Sequence, residues 1–166
     1  FYDRIQRARV MSQPEERYGI LPSMMTWAET AAKEHGLARD EVDKWALLSN
    51  RRAVAAGESG RFKEEIVPVP VPQRRGEPVL FEKDEHPRSD TSLEALSKLR
   101  SVLGGVSTAG NSSSESDGAS VCLVTSKEKA KELSIEPMAH IKAYAASGAD
   151  PLRAWKSVPA AVDVAL

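Results

Sequence analysis

Apolar residues from Ser23 to His35 (Met24, Trp27, Ala28, Ala31 and Ala32) recur at helical spacing, and Gly36 supplies the left-handed residue that closes a helix. A second run, Arg39 to about Gly57, gathers Val42, Trp45, Ala46, Ser49, Ala53 and Ala56 on one face and leaves Arg39, Asp40, Glu41, Lys44 and Arg51 wet. The period then changes. Glu65 to Pro72 alternates, but Pro68, Pro70 and Pro72 have no amide hydrogen for a central ladder, which predicts an edge strand. A turn at Gln73-Arg74-Arg75-Gly76 returns the chain through Pro78 to Glu82, so the region reads as a hairpin. Asp84 to Asp90 reads as loop. Thr91-Ser92-Leu93-Glu94 then offers a capping box for a short helix lined by Leu93, Leu96 and Leu99. Gly104 to Gly118 is almost entirely small and polar, the composition of a flexible linker. Beyond it the pattern predicts a strand from Ala119 to Thr125, a helix from Lys127 to Ser134 and a strand from Met138 to about Ser147. A last helix opens on Pro159. Helices and strands alternate, so the fold class is α/β.

Composition narrows the function. The 23 Lys and Arg against 24 Asp and Glu, a net charge of -1, give no basic excess for a phosphate backbone, so no nucleic-acid partner is expected. The apolar stretches at Val121 to Val124 and Val158 to Leu166 are far shorter than the roughly twenty residues of a membrane helix. One cysteine forms no internal disulfide and no signal peptide is evident, which makes a reducing cytoplasm the expectation. Phe1 is not an initiator methionine and the last helix reaches no stop signal, so both ends read as cut.

Three ordered stretches resemble the thiolase family. Ser59-Gly60-Arg61-Phe62-Lys63-Glu64-Glu65-Ile66-Val67-Pro68-Val69 is similar to its Gly-Arg-Phe-Lys-x-Glu-Ile-Val-Pro segment, and follows a helix whose start, Arg39-Asp40-Glu41-Val42-Asp43, is also typical. Asp84-Glu85-His86-Pro87-Arg88, with Leu93, Leu96, Lys98, Leu99 and Arg100, resembles the family's Asp-Glu, Arg and Leu-Ala-Lys-Leu pattern. Ser107-Thr108-Ala109-Gly110-Asn111-Ser112-Ser113, then Asp117-Gly118-Ala119, looks like its Thr-Ala-Gly-Asn-x-Ser and Asp-Gly-Ala signature.

The resemblance implies part of the thiolase fold. Residues 1–103 would be a loop domain that covers coenzyme A, residues 104–157 the end of the N-terminal half, returning strand, helix and strand to a five-layered α/β core, and residues 158–166 the start of the C-terminal half. It also implies an acyl-CoA C-acyltransferase that splits or forms β-ketoacyl-CoA, as in fatty-acid metabolism, within a homotetramer. Coenzyme A thioesters would be substrates, with no separate cofactor. The alternative is a non-catalytic thiolase-like subunit that binds acyl-CoA or a partner protein. The two cysteines and the histidine of the family reaction would lie outside these residues, so the isolated chain is expected to be inactive and no catalytic residue is assigned in it. Cys122, in an apolar strand, reads as a buried structural thiol.

The implied contribution is grip on the ligand. Arg88 matches the arginine at the nucleotide end of coenzyme A, where a planar guanidinium suits phosphate and adenine. From the residues alone it reads rather as a surface arginine paired with Asp84 or Asp90, since exposed arginines are common and usually solvated. Ser113 matches the serine that hydrogen-bonds the pantetheine arm, and Ala109 a small residue that admits the ligand close to the backbone. A loop serine otherwise bonds water or backbone. Leu99 and Leu103 match apolar packing on the coenzyme, although their spacing also fits a buried helix face. Met24 matches a methionine near the reacting acyl group. Ser23, Met25-Thr26-Trp27 and Ala154-Trp155-Lys156-Ser157 depart from the family pattern, and Trp155 stands where glycine is expected in the pantetheine tunnel. His35, His86 and His140 lack metal-ligand spacing and no metal is expected.

Overall fold

The computed structural model describes residues 7–8, 11, 15–19, 23–114 and 116–166. The start of the expected 1–103 segment therefore lies outside the described residues. The elements run in the order α1 (Glu15–Tyr18), α2 (Met24–His35), α3 (Arg39–Glu58), β1 (Val69–Val71), β2 (Val79–Phe81), α4 (Leu93–Ser97), α5 (Lys127–Glu132), a 3-10 helix (Pro151–Lys156) and α6 (Ser157–Ala165). They divide into two compact units, residues 28–114 and the remainder.

In residues 28–114, α2 ends where the glycine signal placed it, with Gly36 at φ +65°. Glu41 reaches back to accept the Ala38 amide at 2.8 Å and fixes the start of α3. The buried face of α3 is rotated from the predicted one: Val42, Ala46, Ala53 and Ala56 are half-buried as expected, but they are not its centre. Trp45 is 69% exposed, whereas Asp43 and Leu47 are buried and Arg39 is half-buried. The physical reason is the surface that α3 meets: α4 and the loop after it present backbone carbonyls and amides, which need polar partners rather than an apolar stripe. Ala32, Leu47 and Leu96 supply the buried apolar side chains here.

The hairpin forms with Val69 opposite Phe81, Pro70 opposite Leu80 and Val71 opposite Val79. It is shorter than the alternating pattern, as the prolines require. Helix α4 begins one residue later than the Thr91 signal: Ser92 is the cap, accepting the Ala95 amide at 3.1 Å. The linker reading of 104–118 fails in its first half. Ser107 and Thr108 are buried, a bridge joins Ser101 to Thr108, and the Val102 amide bonds the Ser107 carbonyl at 2.9 Å.

In the other unit, Ser126 caps α5 through the Lys129 amide at 3.1 Å, and Ser134, at φ +55°, ends it with the Ile135 amide on the Ala130 carbonyl at 2.9 Å. Helix α6 starts at Ser157, two residues before the proline signal. Neither predicted strand, Ala119–Thr125 nor Met138–Ser147, forms. Among the described residues the two strands of the hairpin pair with each other, and these segments have no ladder to join. Val121 is accordingly 99% exposed, and Cys122, expected to be buried, is exposed too.

Candidate functional site

The loop from Val102 to Asn111 is held on two helices, α2 and α3, by polar groups. Glu29 of α2 accepts the Val106 amide at 2.9 Å and the Ser107 amide at 2.7 Å. Asp43 of α3 pairs with Arg39, one helical turn earlier, at 2.8 Å, and accepts from Asn111 at 2.9 Å. Arg39 also donates to the carbonyls of Leu96 and Leu99 at 2.6 and 3.2 Å, which ties the end of α4 to α3. Asn111 donates to the Val106 carbonyl at 2.9 Å and accepts the Thr108 amide at 2.7 Å. The turn 106–111 is therefore closed by one side chain, and that side chain is held by a buried carboxylate.

Glycine is needed at two points for close approach. A Cβ on Gly105 would sit 1.7 Å from the Glu29 Oε2, and one on Gly110 would sit 2.5 Å from both Leu96 Cδ2 and Leu99 Cδ1. Gly110 thus lays the loop against Leu99, beside the exposed Ala109.

The segment carrying Arg88 is fixed separately: its amide donates to Asn50 of α3 at 3.0 Å. Two residues earlier, His86 Nδ1 is hydrogen-bonded to the Ser114 hydroxyl. That bond brings the Arg88 segment to the neighbour of Ser113. Ser113 is exposed and donates to the Ser114 carbonyl at 3.2 Å. Arg88 is exposed, and a cavity of about 820 Å³ opens beside it, with Ala53, Phe62, Lys63, Ile66, Pro87 and Ser89 among its lining.

Of the sequence-named residues, Arg88, Leu99, Leu103, Ala109 and Ser113 therefore lie in one unit, all of them exposed. Met24 belongs to the other, where it is exposed at the start of α2. In that unit Trp27 donates from its indole nitrogen to the Pro151 carbonyl at 3.0 Å, which joins one departure from the family pattern to the 3-10 helix holding the other, Trp155. His35 ends α2, His86 lies in the loop and His140 in an unpaired segment. Among the described residues no three His, Cys, Asp or Glu are grouped to hold a metal, and no helix is long and apolar enough to cross a membrane.

Sequence reading missed Glu29, Asp43 and Asn111 as the loop's anchors and left Arg39 in solvent. The available signal was the i, i+4 pair Arg39 and Asp43 on a face counted as wet.

Burial works to raise the pKa of Glu29, but bonds from the Ser107 amide and hydroxyl and the Val106 amide outweigh it, and the carboxyl lies below its ordinary value. A lowered folded pKa adds stability above the unfolded value, near 4.3, and that stability is lost as pH falls through the folded pKa. Glu29→Gln should therefore lower the urea midpoint at about pH 7, and its difference from the parent chain should shrink as pH falls below the ordinary carboxylate range. A difference that stays constant across that range would remove the carboxylate from this role.

Residues 11–128 match the family model described as Thiolase, N-terminal domain. The chain is 48% identical over 126 residues to an acetyl-CoA acetyltransferase of Pseudomonas aeruginosa, covering 75% of this chain and 32% of that protein. It is 44% identical over 130 residues to one of Allochromatium vinosum, covering 77% and 33%. Among solved structures it is similar to the acetyl-CoA acetyltransferase of Bacillus anthracis, with a TM-score of 0.78 and 37% identity over 85% of this chain and 37% of that one. The human mitochondrial 3-ketoacyl-CoA thiolase gives a TM-score of 0.78 and 32% identity over 96% and 40%. The chain thus spans about a third of the length of the curated relatives it matches.

Proposed function

Because this chain belongs to the thiolase family, we propose that its parent protein transfers acyl groups between coenzyme A thioesters, by thiolysis or condensation, and that residues 28–114 hold the coenzyme. The observation that carries the reading is the His86 to Ser114 hydrogen bond, which gathers the Arg88 segment and the Ser113 loop on one support. Arg88 meets the nucleotide end, with the neighbouring cavity open to an adenine-sized group. Ser113 and Ala109 meet the pantetheine arm, and Leu99 and Leu103 pack on it. The exposure of all five is what a coenzyme-covering surface requires before the ligand is bound.

Met24 lies toward the reacting acyl group in this reading. The nucleophilic cysteine, the histidine that activates it and the second cysteine come from sequence outside these residues, so turnover belongs to the full-length protein. We also assign the parent to a cytoplasmic homotetramer whose loop domain is residues 1–103, with 104–157 and 158–166 in the two halves of the core.

The test is cleavage of acetoacetyl-CoA by the full-length protein with free coenzyme A as acceptor. Robust cleavage is expected, and Arg88→Ala should raise KM for coenzyme A about tenfold or more, as loss of a hydrogen bond to a charged group implies. An unchanged KM would return Arg88 to a surface role. A protein that binds coenzyme A in calorimetry but leaves acetoacetyl-CoA intact would favour the second reading, a non-catalytic acyl-CoA-binding subunit. The Trp27 bond to Pro151 is what favours that reading, because it ties the helix of one tryptophan departure to the 3-10 helix that carries the other.

A further inference from the structure

We propose that Asp43, which touches no ligand in the reading above, is the positioning residue that sets the loop carrying Ala109 and Ser113 for coenzyme A; the inference rests on that reading of the loop. Asp43 is 2% exposed, yet it is charged, and its two oxygens are divided between Arg39 Nε at 2.8 Å and Asn111 Nδ2 at 2.9 Å. Taking a carboxylate out of water is costly, and an apolar pair of similar volume would pack α3 on α4 at least as well. What the carboxylate adds is direction.

It holds the amide of Asn111 in one orientation, and that amide in turn receives the Thr108 N–H and donates to the Val106 carbonyl. The Thr108 hydroxyl then accepts the Gly110 amide at 3.2 Å. Ala109 sits between two residues fixed in this way, and Ser113 follows Asn111 by two. Rotating the Asn111 side chain would break all three of its bonds and release the turn. Through Arg39 the same carboxylate is linked to the carbonyls of Leu96 and Leu99, which lie under Gly110. One buried group therefore references both the loop and the apolar ledge beside it, an arrangement in which small misplacement has a large effect on binding.

Asp43→Asn preserves shape but has one acceptor and one donor group where two acceptors are needed, so it satisfies Arg39 or Asn111 and not both. The experiment is steady-state thiolysis of acetoacetyl-CoA by the full-length protein, with coenzyme A and, separately, pantetheine as thiol acceptors. The expected result is that Asp43→Asn raises KM for both acceptors about tenfold while kcat stays within about twofold, because both acceptors share the arm that the loop meets. Arg88→Ala should raise KM for coenzyme A alone, since pantetheine lacks the nucleotide. Unchanged KM for both acceptors in folded Asp43→Asn, with any loss confined to kcat or to the yield of folded protein, would overturn the inference and leave the reading of the loop standing. A wild-type protein that neither cleaves acetoacetyl-CoA nor binds coenzyme A would overturn both. Should Asp43→Asn fail to fold, Asn111→Ser is read by the same criteria, because it removes the carboxamide that Asp43 orients.

Discussion

Arg39→Ala is expected to destabilise residues 28–114 by about 3–5 kcal/mol, the cost of removing one partner from a buried ion pair. The pair is asymmetric. The Asp43 side chain keeps 4% of its exposure and that of Arg39 keeps 26%. Without Arg39 the carboxylate remains enclosed with Asn111 as its donor, and the carbonyls of Leu96 and Leu99 lose the guanidinium that served both. Asp43→Ala leaves the opposite remainder, a cation with a route to water and two carbonyls still in reach. It should cost less, about 2–3 kcal/mol. The double replacement should cost less than the sum of the two, since each single change counts the stranded partner. Urea unfolding of the two single variants and the double variant decides the matter. Equal losses from the single variants, or additive losses, would mean that the pair behaves as an exposed one, worth at most about 1 kcal/mol.

The elements that could be read from sequence are those whose signals are local. Gly36 closes α2 because a left-handed residue is needed there, and the proline alternation at Val69 to Val71 yields a short hairpin because proline cannot donate. What stayed hidden depends on partners distant in the chain. The centre of the α3 face was misplaced because its neighbour is a loop whose backbone groups take side-chain partners, a fact that no helical period in Arg39 to Glu58 encodes. Thr108 is 0% exposed in a stretch whose composition reads as linker, because Asn111 and Glu29 supply the bonds that an apolar core does not. The two unformed strands fail in the opposite sense. Ala119 to Thr125 has the composition of a strand, but a strand exists only with a neighbour, and the described residues offer it none.

The candidate site divides along the same line. Arg88, Ala109 and Ser113, the proposed ligand contacts, were nameable because they stand in the stretches that match family motifs. Their supports were not, since Asn50 under Arg88 and Asp43 under Asn111 look like ordinary polar positions of a wet helix. Motif positions and the residues that support their backbone therefore differ in how far sequence alone exposes them, because a support is defined by a partner distant in the chain.

Gly105→Ala is the second large effect, and it reaches Glu29 rather than the glycine's own backbone. The added Cβ would lie 1.7 Å from Glu29 Oε2 and 2.5 Å from its Cδ, so the carboxylate has to leave. A flexible side chain moves cheaply, and the strain itself is small. The loss comes from the amides of Val106 and Ser107, which give up bonds of 2.9 and 2.7 Å to a charged acceptor. At about 1.5 kcal/mol for each such bond, the low end suited to a half-buried group, the substitution should cost about 3 kcal/mol. In a Glu29→Ala background the same substitution meets no carboxylate and should cost less than about 1 kcal/mol, so the two changes should be strongly non-additive in a urea-unfolding cycle. An equal cost in both backgrounds would place the effect in the backbone of Gly105. A vanishing cost in the parent chain would mean that the Glu29 carboxylate finds equivalent donors nearby, and its role as anchor of the loop would fall with it.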